Sequence, residues 1–267
     1  MKKIIIYCVT YNSYNETRRF LESVNVAALQ AESSMISVIV IDNTEKDKET
    51  IFVDYSNINV RVLQTVENCG YLGAVKKGMD VFSPENYDFF IISNVDLVVA
   101  PNAFCKLLAV NITDKVGWIA PQIFSTLENR DRNPARIGRY TSKHLKVLLF
   151  LYNNPWINRL YELTIYKIKN CNTIKYEEGT EIYSGHGSFM IFTKEFFCRN
   201  GIPDYPIFLY GEEIFLAELC RRAGLKTVYV PSVKVIDSEH CSTSRMSKTS
   251  NCKWNANAIK FLLKEFF

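Results

Sequence analysis

The 267-residue sequence lacks both glycine-rich signatures with which common nucleotide-dependent enzymes hold phosphates. The loop after the first apolar run, residues 10–16, contains no glycine, so the G-x-G-x-x-G of dinucleotide-binding proteins is absent there. The pattern G-x-x-x-x-G-K-[ST] does not occur either. Because these glycines let the backbone approach a pyrophosphate closely, their absence excludes a P-loop NTPase and disfavours a dinucleotide-dependent oxidoreductase.

The sequence also lacks the patterns of metal ribbons, disulfide scaffolds, exported proteins and membrane-spanning proteins. Its eight cysteines include no C-x-x-C pair, and we expect reduced thiols, as in a cytosolic protein. The apolar run after Lys2 and Lys3 is shorter than the roughly 7–15 residues of a signal-peptide core. No run approaches the roughly 18 apolar residues of a spanning helix. We therefore expect a cytoplasmic protein, soluble or peripheral to a membrane.

Positive charge is concentrated in one part of the chain. The whole chain carries a net charge of +4, whereas residues 130–176 contain ten Lys or Arg and two acidic residues, a net charge of +8. The remainder is therefore slightly acidic, at −4. A basic segment of this kind favours contact with phosphates, anionic lipid or nucleic acid. The overall content of 48% hydrophobic and 22% charged residues is typical of a globular protein.

Strand-like and helix-like patterns alternate over the first 120 residues, which predicts a parallel sheet wrapped by helices. The predicted strands are residues 3–10, 37–41, 60–65 and 87–93, and the predicted helices are residues 16–29 and a second helix that ends near residue 82. In such sheets polar ligands bind at the carboxyl ends of the strands. We therefore expect four polar residues that follow strands to share a cleft: Thr10, Asp42, Asn68 and Asp96.

The alternation is interrupted from about residue 125 to residue 176. This basic segment is rich in Tyr, Leu and Asn and is interpreted as an inserted helical or loop element. Regular patterns then return, and they predict a strand at 188–193, a helix at 212–223 closed by Gly224, a strand at 226–230 and a closing helix at 252–267.

Two pairs of polar residues are candidates for chemistry. Asn94 and Asp96 follow an apolar strand, where oxygen ligands suit Mg²⁺ or Mn²⁺. Taken alone, however, the triplet 94–96 favours a loop whose Asn and Asp cap the next helix. Glu212 and Glu213 precede a helix, where the helix dipole alone favours acids, but the pair also fits a general base beside an orienting partner. His186 stands between two glycines and is interpreted as part of a substrate-facing loop.

Together these stretches resemble the family-two glycosyltransferases with the GT-A fold, of the bacterial capsule, O-antigen and exopolysaccharide type. The matching stretches are Val9-Thr-Tyr-Asn-Ser, Val40-Ile-Asp-Asn, Glu67-Asn-Cys-Gly-Tyr-Leu-Gly-Ala, Ser93-Asn-Val-Asp and Tyr210-Gly-Glu-Glu-Ile-Phe-Leu-Ala-Glu-Leu-Cys-Arg-Arg-Ala-Gly. The resemblance implies an α/β fold with a Rossmann-like mixed sheet flanked by helices and a basic helical insertion. It divides one GT-A domain into a nucleotide-sugar-binding half (1–125), the insertion (126–180), an acceptor and catalytic half (181–250) and a C-terminal helix (251–267).

The resemblance also implies residue roles. Glu213 would be the catalytic base with Glu212 beside it, and Asp96 would bind Mg²⁺ or Mn²⁺. The residues implied for the nucleotide of the donor are Thr10, Tyr11, Asn12, Asp42, Asn68, Gly70 and Asn94.

Three positions depart from the family pattern. Asn94 replaces the first acid of the D-x-D-type motif, and Glu213 stands where Asp is more frequent. Asp237 occupies the position of a metal-contacting His, with His240 three residues later, so either residue could be the second metal ligand.

The implied activity is metal-dependent, inverting transfer of a hexose-type sugar. The donor would be a UDP- or dTDP-sugar, and the acceptor a hydroxyl of a polyprenyl-linked glycan at the inner face of the cell membrane. Residues 140–170 would dock on that membrane or on a second subunit, or cap the acceptor side. Two alternatives are a non-catalytic sugar-nucleotide-binding homologue and a nucleic-acid-binding module, although the basic segment lacks an RNP-type aromatic motif and no nucleic-acid partner is expected.

Overall fold

A computed structural model describes residues 1–32, 34–161, 176–238 and 248–267. The strands are β1 (Lys2–Thr10), β2 (Ser34–Asp42), β3 (Asn59–Gln64), β4 (Phe89–Asn94), β5 (Leu97–Val99), β6 (Val116–Ser125), β7 (Arg130–Asp131), β8 (Glu181–Ile182), β9 (Phe189–Thr193) and β10 (Lys226–Asp237). The helices are α1 (Tyr14–Leu29), α2 (Tyr71–Val81), α3 (Ala103–Ala109), α4 (Ser142–Asn153), α5 (Pro155–Tyr161), α6 (Lys194–Asn200), α7 (Glu212–Arg222) and α8 (Lys248–Phe266).

The ten strands form one mixed sheet in the order β3-β2-β1-β4-β9-β6-β10-β5, with β7 beside β6 and β8 beside β10. The strands β3, β2, β1 and β4 are parallel, which confirms the sheet predicted from the alternating patterns of the first half. The strand β9 lies antiparallel between β4 and β6 and joins the two halves into one sheet. Parallel strands covered on both faces are expected to be almost continuously apolar, as β1 and β4 are.

Helices cover both faces of the sheet. Alternate residues of β1 contribute to the two sides, with Ile4 and Ile6 on one side and Ile5 and Tyr7 on the other. The first side is covered by α1 and α3, and the second by α2, α6, α7 and α8. The site described below lies where the carboxyl ends of β1 and β4 meet the loop before α7.

The long strand β6 is absent from the sequence-based prediction, although it lies inside the sheet between β9 and β10. Its sequence contains Gly117 and Pro121, which interrupt a strand-like pattern. The structure accommodates both. A Cβ at Gly117 would lie 2.9 Å from the side chain of Leu225, and Pro121 pairs with Val230, where the register of β10 shifts.

The predicted insertion contains two helices in its described part, α4 and α5, and residues 162–175 lie outside the described residues. The helix α4 packs against α8, and α8 packs against α7. No helix in the described ranges has the length and apolar content needed to cross a bilayer. The six described cysteines are free, as predicted.

Candidate functional site

A cleft of about 350 Å³ opens at the carboxyl ends of the central parallel strands. It is bordered by the ends of β1 and β4, the loop before α2, the loop 186–188 before β9 and the loop before α7. Its side chains are both aromatic and polar. The lining residues are Val9, Tyr11, Ser13, Asn43, Asn68, Gly70, Tyr71, Asn94, Val95, Asp96, Arg132, His186, Gly187, Ser188, Phe208, Leu209, Tyr210, Glu212, Glu213 and Asp237.

One wall of the cleft is held by an amide network centred on Asn43. Its Nδ2 donates to Asn68 Oδ1 over 2.7 Å and to the carbonyl of Gly70 over 3.1 Å. Its Oδ1 accepts from the backbone N–H of Cys69 and from the hydroxyl of Thr65. Asn43 was not among the predicted site residues, although it directly follows the predicted Asp42.

The turn before α2 requires glycine at position 70. Gly70 has φ +73°, a conformation that other residues adopt at a cost, and an added Cβ would lie 2.0 Å from the carbonyl oxygen of Phe208. The same carbonyl accepts the N–H of Tyr71 over 3.2 Å. This close approach brings the loop after β3 against the loop before α7, so the two halves of the chain meet at the cleft.

Not all predicted donor-binding residues line the cleft. Tyr11, Asn68, Gly70 and Asn94 do, whereas Thr10, Asn12 and Asp42 do not. Thr10 is fully buried, and its hydroxyl accepts from that of Thr17. Asp42 is also fully buried, and its carboxylate accepts from the hydroxyl of Tyr14 and the N–H of Thr44. Asn12, with φ +52°, is exposed and donates its N–H to the Thr44 hydroxyl. Thr10 and Asp42 therefore shape the wall from behind.

The predicted metal residues Asp96 and Asp237 line the cleft close enough to interact. Burial, followed by the charge of Asp237, raises the pKa of the Asp96 carboxyl to about 6, while a hydrogen bond from Asn94 acts in the opposite direction. Asp237 forms an ion pair of 2.7 Å with Arg132. His240 lies outside the described residues, so the structure does not compare the two candidate ligands.

The chemistry of this donor set fits a divalent hard cation. Asp96 and Asp237 supply carboxylate oxygens and Asn94 an amide oxygen, which suit Mg²⁺ or Mn²⁺, and a cation would relieve the repulsion between the two carboxylates. In the ranges that the structure describes, no three His, Cys, Asp or Glu side chains converge as a metal site. The chain would therefore provide only part of a coordination sphere, as is usual where Mg²⁺ also binds substrate phosphates.

The two glutamates at the start of α7 enter the cleft in different environments. Glu212 is only 7% exposed, and its Oε1 accepts the N–H of Tyr210 over 2.9 Å. Glu213 is half-buried, and its Oε1 accepts the N–H of Gly187 over 3.2 Å. Burial raises the pKa of both carboxyls, and the charge of Glu213 raises that of Glu212 further. Because Glu212 is the more buried, the negative charge of the pair belongs on Glu213.

Tyr71 lines the cleft and contacts the loop 186–188. Its hydroxyl donates to the carbonyl of Gly187 over 3.1 Å. Burial, together with the charges of Glu212, Asp96 and Glu213, raises the pKa of this phenol well above its ordinary value. All three carboxyls therefore act on one buried hydroxyl, which places the predicted metal and base residues around the same space.

The loop 186–188 lines the cleft, which agrees with the interpretation of His186 as substrate-facing. Nδ1 of His186 lies 2.9 Å from the Ser188 hydroxyl, and the backbone N–H of His186 donates to Oδ1 of Asn133. Burial lowers the pKa of His186 to about 4, so its imidazole is neutral at physiological pH. Sequence reasoning missed Arg132, because nothing in the basic segment distinguishes this arginine from its neighbours.

Sequence comparisons found a matching family model and similar proteins. A sequence model of the family described as "Glycosyl transferase family 2" matches residues 5–197. A similar protein, the N-acetylglucosaminyl-diphospho-decaprenol L-rhamnosyltransferase of Mycobacterium tuberculosis, is 26% identical over 253 residues, which are 90% of this chain and 77% of that protein.

Solved structures show the same fold. GalNAc-T7 with UDP, GalNAc and Mn²⁺ superposes with a TM-score of 0.63 at 16% identity, over 99% of this chain and 50% of that one. S. aureus TarS 1-349 in complex with UDP-GlcNAc has a TM-score of 0.56 at 11% identity, over 92% of this chain and 62% of that one. The chain thus spans about half of the first and less than two thirds of the second. At these identities the likeness establishes the fold, and the predicted GT-A architecture is confirmed.

Proposed function

The chain belongs to glycosyl transferase family 2, as its resemblance predicted, and from this membership we propose that it is an inverting sugar transferase. The donor is a UDP- or dTDP-sugar, and the acceptor is a hydroxyl of a polyprenyl-linked glycan. The main observation in support of this proposal is that Glu213, Asp96 and Asp237 line the same cleft. In the described part of the chain, neither Glu212 nor Glu213 forms an ion pair, so neither carboxylate is committed to a structural bridge.

In the proposed reaction Glu213 is the general base. Its carboxylate accepts the proton of the acceptor hydroxyl as that oxygen forms a bond to the anomeric carbon of the donor. The bond from this carbon to the phosphate oxygen breaks on the opposite side, and its electron pair leaves with the nucleoside diphosphate. A single displacement of this kind inverts the anomeric configuration. The raised pKa of Glu213 suits a base that must hold a proton briefly.

The positive charge required by the leaving diphosphate has two sources in this proposal. A divalent cation held by Asp96, Asp237 and Asn94 would, when bound, offset the charge that develops on the phosphate oxygens. Arg132 lies in the same part of the cleft and brings a permanent cation against Asp237. Arg132 therefore limits the repulsion between Asp237 and an arriving diphosphate.

The proposed acceptor class is supported by the similar rhamnosyltransferase, whose name specifies a diphospho-decaprenol-linked sugar. We propose an acceptor of the same chemical kind, a saccharide on a polyprenyl diphosphate, used in the assembly of a bacterial surface polysaccharide such as a capsule. Such a lipid resides in the membrane, so the transferase would work at its cytoplasmic face.

Donor binding and turnover test the proposal. We expect a UDP- or dTDP-sugar to raise the melting temperature of the parent protein when Mn²⁺ is present and to be transferred to a polyprenyl-linked acceptor. Asp96→Ala should remove the metal-dependent part of the nucleotide affinity while the fold is retained. Binding without transfer to any acceptor would support a non-catalytic homologue, and binding and transfer unaffected by EDTA would refute the metal site.

A further inference from the structure

The outer faces of α4 and α5 expose five large apolar side chains. Together with the exposed cations Lys143, Lys146 and Arg159, these five residues form what we call the α4–α5 surface. Trp156 is 84% exposed, which is unusual for the largest apolar side chain of a soluble domain. The opposite face of α4 is buried through Leu145 and Leu151, and that of α5 through Asn158. Helical spacing groups the exposed residues on the outer faces, and a clustered apolar patch of this kind usually marks an interaction site. The five residues are Val147, Phe150, Trp156, Ile157 and Leu160.

The charge of the α4–α5 surface has one sign. Residues 142–161 contain no Asp or Glu, while Lys143, Lys146 and Arg159 are exposed beside the apolar side chains. Among the described residues none of these three cations forms an ion pair with a carboxylate. Their charge is therefore available to an external anionic partner.

This charge distinguishes between two occupants of the surface. A second copy of the chain, related by a twofold axis, would bring the same patch against itself and oppose positive charges to positive charges. An anionic bilayer offers apolar depth to the aromatic and aliphatic side chains and negative headgroups to the cations. Charge complementarity therefore favours the lipid surface.

The α4–α5 surface is one helix away from the cleft. The helix α4 packs on α8, and Trp254 of α8 contacts the ring of Phe208 at 5.2 Å between centroids. Phe208 lines the cleft and lies four residues before Glu212. A bilayer that contacts α4 and α5 would thus be separated from the cleft wall at Phe208 by the single helix α8.

We propose that the α4–α5 surface docks this protein on anionic lipid bilayers, with Trp156 and Phe150 in the interface and Lys143, Lys146 and Arg159 at the headgroups. The contact needs neither donor nor acceptor. Its failure would leave the proposed transfer reaction standing, and failure of the transfer reaction would leave the docking intact.

Flotation with vesicles of phosphatidylglycerol and phosphatidylcholine tests the proposal on the full chain. We expect the protein to float with these vesicles and not with pure phosphatidylcholine. The double variant Phe150→Ser/Trp156→Ser should lower partitioning roughly tenfold or more. Replacing Lys143 and Lys146 with Gln should lower it about fivefold for each cation, and added salt should have the same effect.

Matched substitutions at exposed positions elsewhere provide the controls. Leu29→Ser with Val81→Ser removes exposed apolar groups from α1 and α2, and Lys46→Gln with Lys106→Gln removes exposed cations. The apolar control should change partitioning by no more than about twofold. The charge control should lower partitioning less than the Lys143 and Lys146 variant does, because it only reduces the general positive charge. Equal losses in the control and surface variants would show that binding is non-specific and would overturn the proposal.

Tryptophan emission reports the same contact directly. Of the three tryptophans, Trp118 is buried and Trp254 half-buried, so Trp156 is the one whose surroundings a bilayer would change most. Anionic vesicles should shift the emission to shorter wavelength, and Trp156→Phe should float normally but lose the shift. Absence of flotation would contradict lipid docking. Absence of flotation together with a dimer in light scattering that Phe150→Ser/Trp156→Ser converts to monomer would assign the surface to a second copy.

Discussion

The helix α7 carries buried carboxyls in two opposite environments. At its start, Glu212 and Glu213 accept hydrogen bonds from backbone N–H groups, and burial raises the pKa of both. Five residues after Glu213, the fully buried Glu218 accepts from Arg139 at 2.7 Å, from Tyr183 at 2.8 Å and from Arg221 at 2.9 Å. These hydrogen bonds outweigh burial and lower the pKa of Glu218.

The difference separates a structural carboxylate from a reactive one. The charge of Glu218 is already compensated by two arginines, so protonation or removal of that charge can only weaken the fold. The charge at the start of α7 has no such partner among the described residues, and a proton can therefore relieve it. We infer that the first region serves chemistry and the second holds α7 against Arg139 and Tyr183.

The largest expected effect is the loss of the proposed base itself. Glu213→Gln keeps size and hydrogen-bonding capacity but cannot accept a proton, so we expect transfer to fall about hundredfold or more. Nucleotide-sugar affinity and melting temperature should stay close to those of the parent. Initial rates and thermal shifts with the donor measure both.

Glu212→Gln is the matched control for that variant, and it should reduce transfer less because Glu212 is the more buried and the less ionised of the pair. If Glu213→Gln retained near-parent transfer while Glu212→Gln was inactive, the roles of the two glutamates would be reversed.

The next largest expected effect is on the stability of the fold and concerns Glu218. Glu218→Gln should lower the free energy of unfolding by about 2 kcal/mol, because hydrogen bonds to a charged, buried acceptor are lost. Since the pKa of Glu218 is lowered by folding, its contribution is present above the pKa of the unfolded chain and is lost as pH falls toward the folded value. The acid-side decline in stability should therefore be shallower in the variant, as measured by urea unfolding at several pH values.

Glu265 on α8 provides a control for Glu218. It pairs with Arg222 at 2.9 Å, and both side chains are about half exposed. Glu265→Gln should cost less than about 1 kcal/mol, as is usual for surface pairs. Similar losses for both variants would remove the distinction between a buried carboxylate and a surface one.

A smaller effect is expected when the base is displaced and not removed. A Cβ at Gly187 would lie 2.6 Å from Oε1 of Glu213, so Gly187→Ala should move that carboxylate and lower kcat about tenfold. Gly138→Ala, where nothing lies within 4 Å of the added atom, should leave kcat unchanged. An unchanged kcat in Gly187→Ala would show that the Glu213 position is not critical.

The elements of the fold were largely predictable, because strands buried on both faces and amphipathic helices carry strong periodic patterns. The helix that begins at Glu212 and the strand that ends at Thr10 agree with the prediction to within a residue. The strand β6 was missed, because Gly117 and Pro121 are explained only by their neighbours Leu225 and Val230. Such contacts join residues distant in sequence and leave no local pattern.

The site was predictable in its chemistry and less so in its details. The resemblance placed Asp96 and Glu213 together, and both line the cleft. It also implied that Thr10 and Asp42 bind the donor, but their side chains are fully buried behind the cleft wall. The residue that lines the cleft is Asn43, which follows Asp42. Asn43 is the first residue after β2, where the alternation of a strand no longer determines which side chain faces the cleft. Arg132 was not predictable as a site residue, because it lies in an insertion whose sequence has no recognisable pattern.

Titration of individual glutamate side chains tests the central comparison most directly. With carboxyl-¹³C-labelled glutamate, NMR spectra recorded against pH would identify Glu213 by the signal missing in Glu213→Gln and Glu218 by the signal missing in Glu218→Gln. We expect the first signal to titrate above the ordinary glutamate pKa of about 4.3 and the second below it. Two signals that titrate together near that value, or in the reverse order, would contradict the assignment of a reactive and a structural carboxylate to one helix.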